Sequence, residues 1–244
     1  CFACGDGTLQ QEPVRRSGQA DVVSLDDDWR FIRYGLQADG TRVEEPAGMF
    51  ETGVDDSGWE KLDVPHDFAI TGPFRMDLSG NTGRLPYQGI GWYRKTFTVD
   101  KADQGKRFYV DFDGVMAYAK VWLNGEYVGT WPYGYNSFRL DLTPFIKVGE
   151  PNVLAVRTDT EKWESRWYPG AGIYRHVWLV KTGQVHVKHW GTKMEAENLT
   201  ARTADLHFTV EVENHQDEAA KAVVKTSVYE LDSLDCLGKR VLRF

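Results

Sequence analysis

The chain has 244 residues and a formal net charge of −7, with 41% hydrophobic and 27% charged residues. This composition is typical of a globular chain and argues against intrinsic disorder. No apolar run approaches the roughly 20 residues of a membrane-spanning helix, and the acidic balance offers no broad basic surface for nucleic acid. The length predicts one large or two ordinary domains.

The first 20 residues have the character of a tether. The printed sequence starts at Cys1 and continues through a polar, Gly-containing stretch. A leading cysteine of this kind is typical of a bacterial lipoprotein after signal removal. We therefore expect an exported protein of the periplasm or outer membrane, with lipid on Cys1 as its one membrane contact. An arbitrary start of the sequence is an equally open interpretation.

Residues 21–182 predict a series of short β-strands. In residues 108–113, Phe108, Val110 and Phe112 alternate with other side chains, so they share one face of a strand. Asn124-Gly125 favours the positive φ angles of a type I′ turn and predicts a tight hairpin. The other strand candidates are residues 29–31, 121–123, 127–128, 153–156 and 177–180. Short strands with Gly, Pro and Asn between them predict a sandwich or a jelly roll.

A second block of strands begins near residue 183. Candidates are residues 185–187, the alternating residues 206–212, and residues 222–230. An immunoglobulin-like sandwich needs about seven strands, so residues 183–244 predict an incomplete one. The expected fold class is all-β, a sandwich or jelly roll followed by a partial immunoglobulin-like sandwich.

Four motifs occur in order along the first block, and together they carry a family resemblance. The most specific parts are the segment Gly91-Trp92-Tyr93-Arg94-Lys95 and the segment from Arg166 to Arg175. The chain resembles the N-terminal sugar-binding domain and the start of the immunoglobulin-like domain of glycoside hydrolase family 2. The sequences of its motifs are most similar to those of β-galactosidases from Bacteroides-type bacteria. The four motifs are residues 59–68, 85–97, 112–129 and 165–177.

The resemblance implies a jelly-roll β-sandwich (galactose-binding-like), then an immunoglobulin-like domain, then a catalytic (β/α)₈ barrel. In that family two glutamates on the barrel perform a retaining hydrolysis, for which the carboxyl groups lie about 5–5.5 Å apart. The barrel is absent from this sequence, so no catalytic residue is assigned. We expect a non-catalytic part of an enzyme of carbohydrate degradation, which supports its own C-terminal barrel and supplies one wall of a β-galactoside pocket.

The fourth motif contains the first group of candidate substrate-binding residues, because the family places this loop towards the barrel. Arg166 offers several fixed hydrogen-bond donors to sugar hydroxyls, and Trp167 and Tyr168 offer flat apolar faces to a pyranose ring. The alternative is that the two aromatic side chains pack in a core between domains and that Arg166 pairs with a nearby acidic residue.

The long loop at residues 74–87 supplies the second group of candidates, because the family resemblance places it on the barrel-facing side. They are Asn81, Arg84 and Tyr87. Before this loop, His66 and Asp67 are adjacent in sequence and point in opposite directions on an extended chain, so they predict no catalytic dyad. Asp67 is expected to cap backbone amides after a turn.

Neither a metal site nor a cofactor is predicted. His186 and His189 lie on a strand candidate whose alternation sends them to opposite faces. The acidic residues Asp159, Glu161 and Glu164 have the pattern of a solvated loop. The aromatic loop at residues 131–135 predicts either a sugar-stacking platform or packing over the sandwich end.

Two other functions stay open from the sequence. The chain is a stand-alone carbohydrate-binding module if it binds sugar without the barrel, a use that jelly rolls serve widely. It is an assembly domain if its role is to form a homo-oligomer.

Overall fold

The computed structural model describes residues 21–162 and 165–226, and the backbone of residues 231–234 and 240–242. The chain divides into two compact units, Cys1–Gly183 and Gln184–Phe244. This division falls one residue after the boundary that the sequence predicts. Within the described residues, no helix has the length and apolarity needed to cross a bilayer.

The described residues are nearly all in strands and loops, with two short 3-10 turns at Gly80–Thr82 and Lys101–Asp103. The strands are β1 (Asp21–Ser24), β2 (Trp29–Leu36), β3 (Arg42–Val43), β4 (Glu60–Leu62), β5 (Ile90–Thr98), β6 (Arg107–Phe112), β7 (Ala119–Leu123), β8 (Glu126–Trp131), β9 (Phe138–Asp141), β10 (Pro151–Asp159), β11 (Val177–Thr182), β12 (Val185–Glu197), β13 (Asp205–Asn214), β14 (Leu231–Leu234) and β15 (Arg240–Leu242).

The first unit is a sandwich of two antiparallel sheets. The smaller sheet has the order β1-β11-β6-β9, and the larger has the order β3-β2-β5-β10-β7-β8 with β4 also paired to β2. The core lies between the sheets. Phe108, Val110 and Phe112 of the smaller sheet are buried against Trp29 and Leu154 of the larger one. The alternation predicted for β6 is therefore confirmed, because every second side chain enters this core.

The predicted hairpin is also confirmed. Asn124 and Gly125 connect β7 and β8 with φ angles of 55° and 86°, the left-handed values that a type I′ turn requires. Asn124 has a second role, because its side-chain oxygen accepts a hydrogen bond from the backbone amide of Val153 in β10 (3.0 Å).

The outer face of the larger sheet is covered by a loop rather than exposed to solvent. Trp92 of β5 and Ala155 of β10 lie on this face and form a second apolar cluster with Met49 and Trp59 from the preceding loop. Trp92 stacks on Trp122 at a centroid distance of 5.3 Å. The sequence predicted only the core between the two sheets. It did not predict this apolar layer on the outer face.

The second unit contains two small antiparallel sheets, β12-β13 and β14-β15. The alternation predicted for residues 206–212 forms β13, and its apolar side chains stay largely exposed, as with Phe208 at 38%. The strand candidate at residues 222–230 was wrong over 222–226. Those residues are irregular and pair with no described strand, and Val223 is 97% exposed. Residues 227–230 lie outside the described residues.

Candidate functional site

The four motifs converge around Gly172. The amides of His66 and Phe68 donate to the carbonyls of Ile173 and Ala171 (2.7 and 3.0 Å), so the first motif pairs with the fourth. Gly172 also exchanges two backbone hydrogen bonds with Met116 in the third motif. It has a φ of 109°, and a Cβ atom there would come within 2.1 Å of the hydroxyl of Tyr93 in the second motif. Only glycine fits this position.

Asp67 is the polar centre of this junction. Its Oδ2 accepts a hydrogen bond from the Tyr168 hydroxyl (2.7 Å), and its Oδ1 accepts from the amides of Ala69 (3.1 Å) and Ala171 (3.2 Å). Burial raises the pKa of Asp67, although these three hydrogen bonds oppose the rise. The prediction that Asp67 caps backbone amides is confirmed, and one of those amides belongs to the fourth motif.

His66 faces a different set of partners. Its Nδ1 lies 2.9 Å from the hydroxyl of the fully buried Tyr93, and its ring packs edge-on against Phe31 at 4.7 Å. Burial lowers the pKa of His66 to about 4, so the imidazole is neutral near pH 7. His66 and Asp67 thus form no dyad, as the sequence predicts.

The three candidates in the fourth motif have different surroundings. Arg166 is exposed and forms no hydrogen bond or ion pair with another described residue. Trp167 is 58% exposed, whereas Tyr168 is half-buried against the core and has its hydroxyl committed to Asp67. Tyr168 therefore anchors the loop, and the two residues before it present their side chains outward.

Trp167 belongs to a group of neighbouring rings, two exposed and one partly buried, which we call the aromatic cluster: Tyr133, Tyr135 and Trp167. The indole Nε1 of Trp167 donates to the Tyr135 hydroxyl (2.8 Å), and the rings of Tyr133 and Tyr135 meet edge to face at 5.6 Å. Tyr133 is 51% exposed. The structure therefore joins the predicted aromatic loop to the fourth motif.

Comparison with known proteins assigns this arrangement to a family. The model of the family described as "Glycosyl hydrolases family 2, sugar binding domain" matches residues 22–183, well over half of the chain. This chain belongs to glycoside hydrolase family 2. The matched region coincides with the first unit, which contains all four motifs.

Individual relatives agree with this assignment. The beta-galactosidase BoGH2A of Bacteroides ovatus is 45% identical over 241 residues, which is 98% of this chain and 26% of that protein. A beta-glucuronidase of Formosa agariphila is 28% identical over 90% of this chain and 24% of its own length. A beta-glycosidase structure from Bacteroides vulgatus matches with a TM-score of 0.72 and 32% identity, covering 81% of this chain and 25% of that one. The chain thus spans about a quarter of the length of these family 2 proteins.

The loop at residues 74–87 contains the other candidates. Asn81 is exposed within the 3-10 turn. The Arg84 guanidinium donates to the carbonyls of Met76 (2.6 Å) and Leu78 (3.0 Å), so it holds the loop together. Tyr87 is 7% exposed and lies in the core, which leaves its ring no surface for a sugar. Of this group, Asn81 is exposed, Arg84 is partly buried and Tyr87 is buried.

The acidic residues near the fourth motif are engaged in structure. Asp159 pairs with Arg157 (3.0 Å). Glu161 accepts from the amide of Leu36 (2.9 Å) and pairs with Arg42 (2.7 Å), so it joins the end of β2 to the loop after β10. Glu164 lies outside the described residues. These contacts favour a structural role for Asp159 and Glu161 in this family 2 domain.

Two relationships in the site were missed from the sequence, namely Asp67 with Tyr168 and Tyr135 with Trp167. Each pair lies in segments that the sequence singled out, but the partners are 101 and 32 residues apart. One sequence contains no signal that pairs two such polar groups across a fold.

Proposed function

We propose that this chain is the non-catalytic part of a retaining family 2 β-galactosidase and supplies one wall of its glycoside pocket through Arg166 and Trp167. The observation that carries the proposal is the contrast within one loop. Tyr168 is tied to Asp67, while the adjacent Arg166 and Trp167 are exposed. The β-galactosidase relative with 45% identity supports the choice of sugar.

The chemistry of the two side chains fits this role. A guanidinium that pairs with none of the described residues keeps its donors for sugar hydroxyls, and a charge-assisted hydrogen bond is stronger than a neutral one. An indole face covers the apolar C–H side of a pyranose. The reaction itself needs two carboxylates about 5–5.5 Å apart, which the catalytic barrel provides in this proposal.

Hydrolysis of a panel of chromogenic β-glycosides tests the proposal. The enzyme that includes the barrel is expected to prefer a β-galactoside, and the 244-residue chain alone is expected to be inactive. Arg166→Ala should lower kcat/KM of the complete enzyme about tenfold or more, the equivalent of one charged hydrogen bond. Arg202→Ala is the matched control, because Arg202 is an exposed arginine of the second unit. Equal effects of the two substitutions would refute the role of Arg166.

A second function is favoured by the aromatic cluster. Three neighbouring rings with two of them more than half exposed are suited to stacking on sugar faces, so the chain binds carbohydrate without the barrel. Calorimetry of the 244-residue chain with galactosides and polysaccharides measures this directly. Binding that Trp167→Ala removes and Phe74→Ala retains would establish the function, since Phe74 is a similarly exposed aromatic residue on another loop. Absence of heat with every sugar would exclude it.

The location and assembly of the protein are further parts of the proposal. The polar residues 1–20, which lie outside the described residues, act as an exported tether with lipid on Cys1. Cys1→Ser in the precursor should move the protein from the membrane to the soluble periplasmic fraction. The complete enzyme forms a homo-oligomer, which sedimentation equilibrium measures as a mass above that of one chain.

A further inference from the structure

Three side chains of metal-ligating type meet in the second unit, outside the motifs that define the family. His186 in β12 and Glu213 in β13 are register partners across the hairpin, and His215 follows the end of β13. One ligand atom from each lies within 4.8 Å of the other two. We call these three residues the His-Glu-His cluster.

The distances within the cluster are long for hydrogen bonds. Oε2 of Glu213 lies 3.7 Å from Nε2 of His186 and 3.4 Å from Nε2 of His215. An N–H···O bond usually spans about 2.7–3.2 Å. Two ligands of a tetrahedral zinc ion, each bound at about 2.0–2.2 Å, are separated by about 3.4 Å. The contact between Glu213 and His215 is a long hydrogen bond and the contact between Glu213 and His186 is longer still, and both distances are close to the spacing of two ligands around a shared ion.

The two histidine rings are stacked, and the distance between them suits a shared ion. Their centroids are 5.3 Å apart and their planes differ by 13°. Two imidazoles that bind one tetrahedral ion through Nε2 place their centroids about 5 Å apart, given a metal–nitrogen distance of about 2.0–2.1 Å. Because the nitrogen lone pairs of stacked imidazoles lie in parallel planes, a shared ion requires one ring to rotate about its side-chain torsions.

The backbone and the neighbouring charges also suit an ion at this position. The His215 amide donates to the Gln184 carbonyl (2.9 Å), which fixes His215 beside the start of β12. The His186 side chain is only 9% exposed, so the cluster is partly shielded from water. On the same strand, Glu211 is paired with Lys188 (2.9 Å), whereas Glu213 has the two histidines beside it.

We propose that His186, Glu213 and His215 bind a divalent transition-metal ion, with Zn²⁺ as the best match, and that the ion crosslinks the open end of the β12-β13 hairpin. Two imidazoles and one carboxylate are a recurrent zinc ligand set, and a water molecule completes four-coordination. From the sequence, His186 was weighed as a metal ligand only together with His189. The structure instead stacks His189 on Trp190 (4.6 Å) and brings His186 to the far strand.

Calorimetric titration of the 244-residue chain with ZnCl₂ tests the proposal. Cys1, Cys4 and Cys236 are replaced by serine throughout, because thiolates are competing zinc ligands. We expect one ion per chain, and at least tenfold weaker binding in each of His186→Ala, Glu213→Gln and His215→Ala, since each removes a direct ligand. Glu213→Gln keeps the size of the side chain, so loss of binding with an unchanged far-UV spectrum does not reflect unfolding.

His207→Ala is the matched control. His207 lies 3.7 Å from Glu197 at the other end of the same hairpin, but this pair has no second histidine. The variant should bind zinc like the parent chain. In NMR spectra, zinc should shift the ring signals of His186 and His215 together and leave those of His207 in place. Equal binding by the His186→Ala/His215→Ala double variant, or no binding by the parent chain, would overturn the proposal.

Discussion

The Tyr168 hydroxyl donates a hydrogen bond to Oδ2 of Asp67 across 2.7 Å and so ties together two loops that are 101 residues apart in the sequence. The same carboxylate accepts from two backbone amides. Because Tyr168 follows directly after Arg166 and Trp167, this bond fixes the part of the loop from which those side chains extend.

Tyr168→Phe removes that hydroxyl and leaves a partly buried carboxylate with one partner fewer. We expect the free energy of unfolding to fall by about 1–3 kcal/mol, the usual cost of an unsatisfied buried polar group. Urea unfolding of the 244-residue chain measures it. Tyr133→Phe removes an exposed hydroxyl and should change stability little. A similar loss in both variants would show that the Asp67 bond contributes nothing specific.

His66 should make stability depend on pH. Its pKa is about 4 in the folded chain and about 6.5 when exposed. The unfolded state therefore binds more protons between these values, so stability falls as the pH falls from 7.5 towards 4. From pH 7.5 to 5 the loss due to His66 should be about 2 kcal/mol.

The comparison that isolates this contribution is the parent chain against His66→Gln at both pH values. The variant lacks the titrating ring, so its stability should fall less between pH 7.5 and pH 5, whatever its stability at pH 7.5. Identical pH dependence in the two proteins would mean that His66 does not titrate with the shifted pKa.

Gly172→Ala should be severely destabilising. The added Cβ would meet the Tyr93 hydroxyl at 2.1 Å and the His66 carbonyl at 2.9 Å, at a φ of 109° that alanine rarely adopts. We expect a loss of about 3 kcal/mol or more from the combined overlap and backbone strain. Gly53→Ala is the control, because no atom lies within 4 Å of its added Cβ. Thermal unfolding should separate the two variants clearly, and equal melting temperatures would contradict the expected overlap.

Glu45 should contribute stability on the outer face of the larger sheet. Burial raises the pKa of Glu45, but hydrogen bonds from Arg157 (2.6 and 2.8 Å) and Trp92 (2.5 Å) outweigh burial and hold the pKa below its usual range. Glu45→Gln should cost about 1–3 kcal/mol in denaturant unfolding, since it removes charge-assisted bonds. Glu44→Gln, at an exposed neighbour, should have little effect. A comparable cost for both would refute the role of Glu45.

The elements that the sequence predicted well have local signals. Asn124-Gly125 encodes its turn in two adjacent residues, and the alternation at Phe108, Val110 and Phe112 encodes one buried face. β5 lacks such a signal, because it is buried on both faces from Ile90 to Arg94. Its second face is covered by a loop with no periodicity of its own, so the covering layer was not predictable from local pattern.

The candidate site likewise has features with a local sequence signal and features that depend on distant contacts. The resemblance of the fourth motif predicted that this loop belongs to the site, which stays a prediction, and the structure shows Arg166 and Trp167 exposed. The anchoring of Tyr168 and the burial of Tyr87 depend on contacts with distant segments. The His-Glu-His cluster depends on the strand register, which the sequence alone did not fix.

The loop that contains Tyr133 and Tyr135 is held in place by hydrogen bonds within the protein. The Tyr118 amide donates to the Pro132 carbonyl (3.2 Å), and the Tyr174 hydroxyl donates to the Gly134 carbonyl (2.7 Å). A ligand that docks on these rings therefore loses little conformational entropy of the loop. The affinity of such a ligand is then limited by how well it fits a fixed surface. Related sugars should therefore differ more in binding enthalpy than in the entropy cost of ordering the loop.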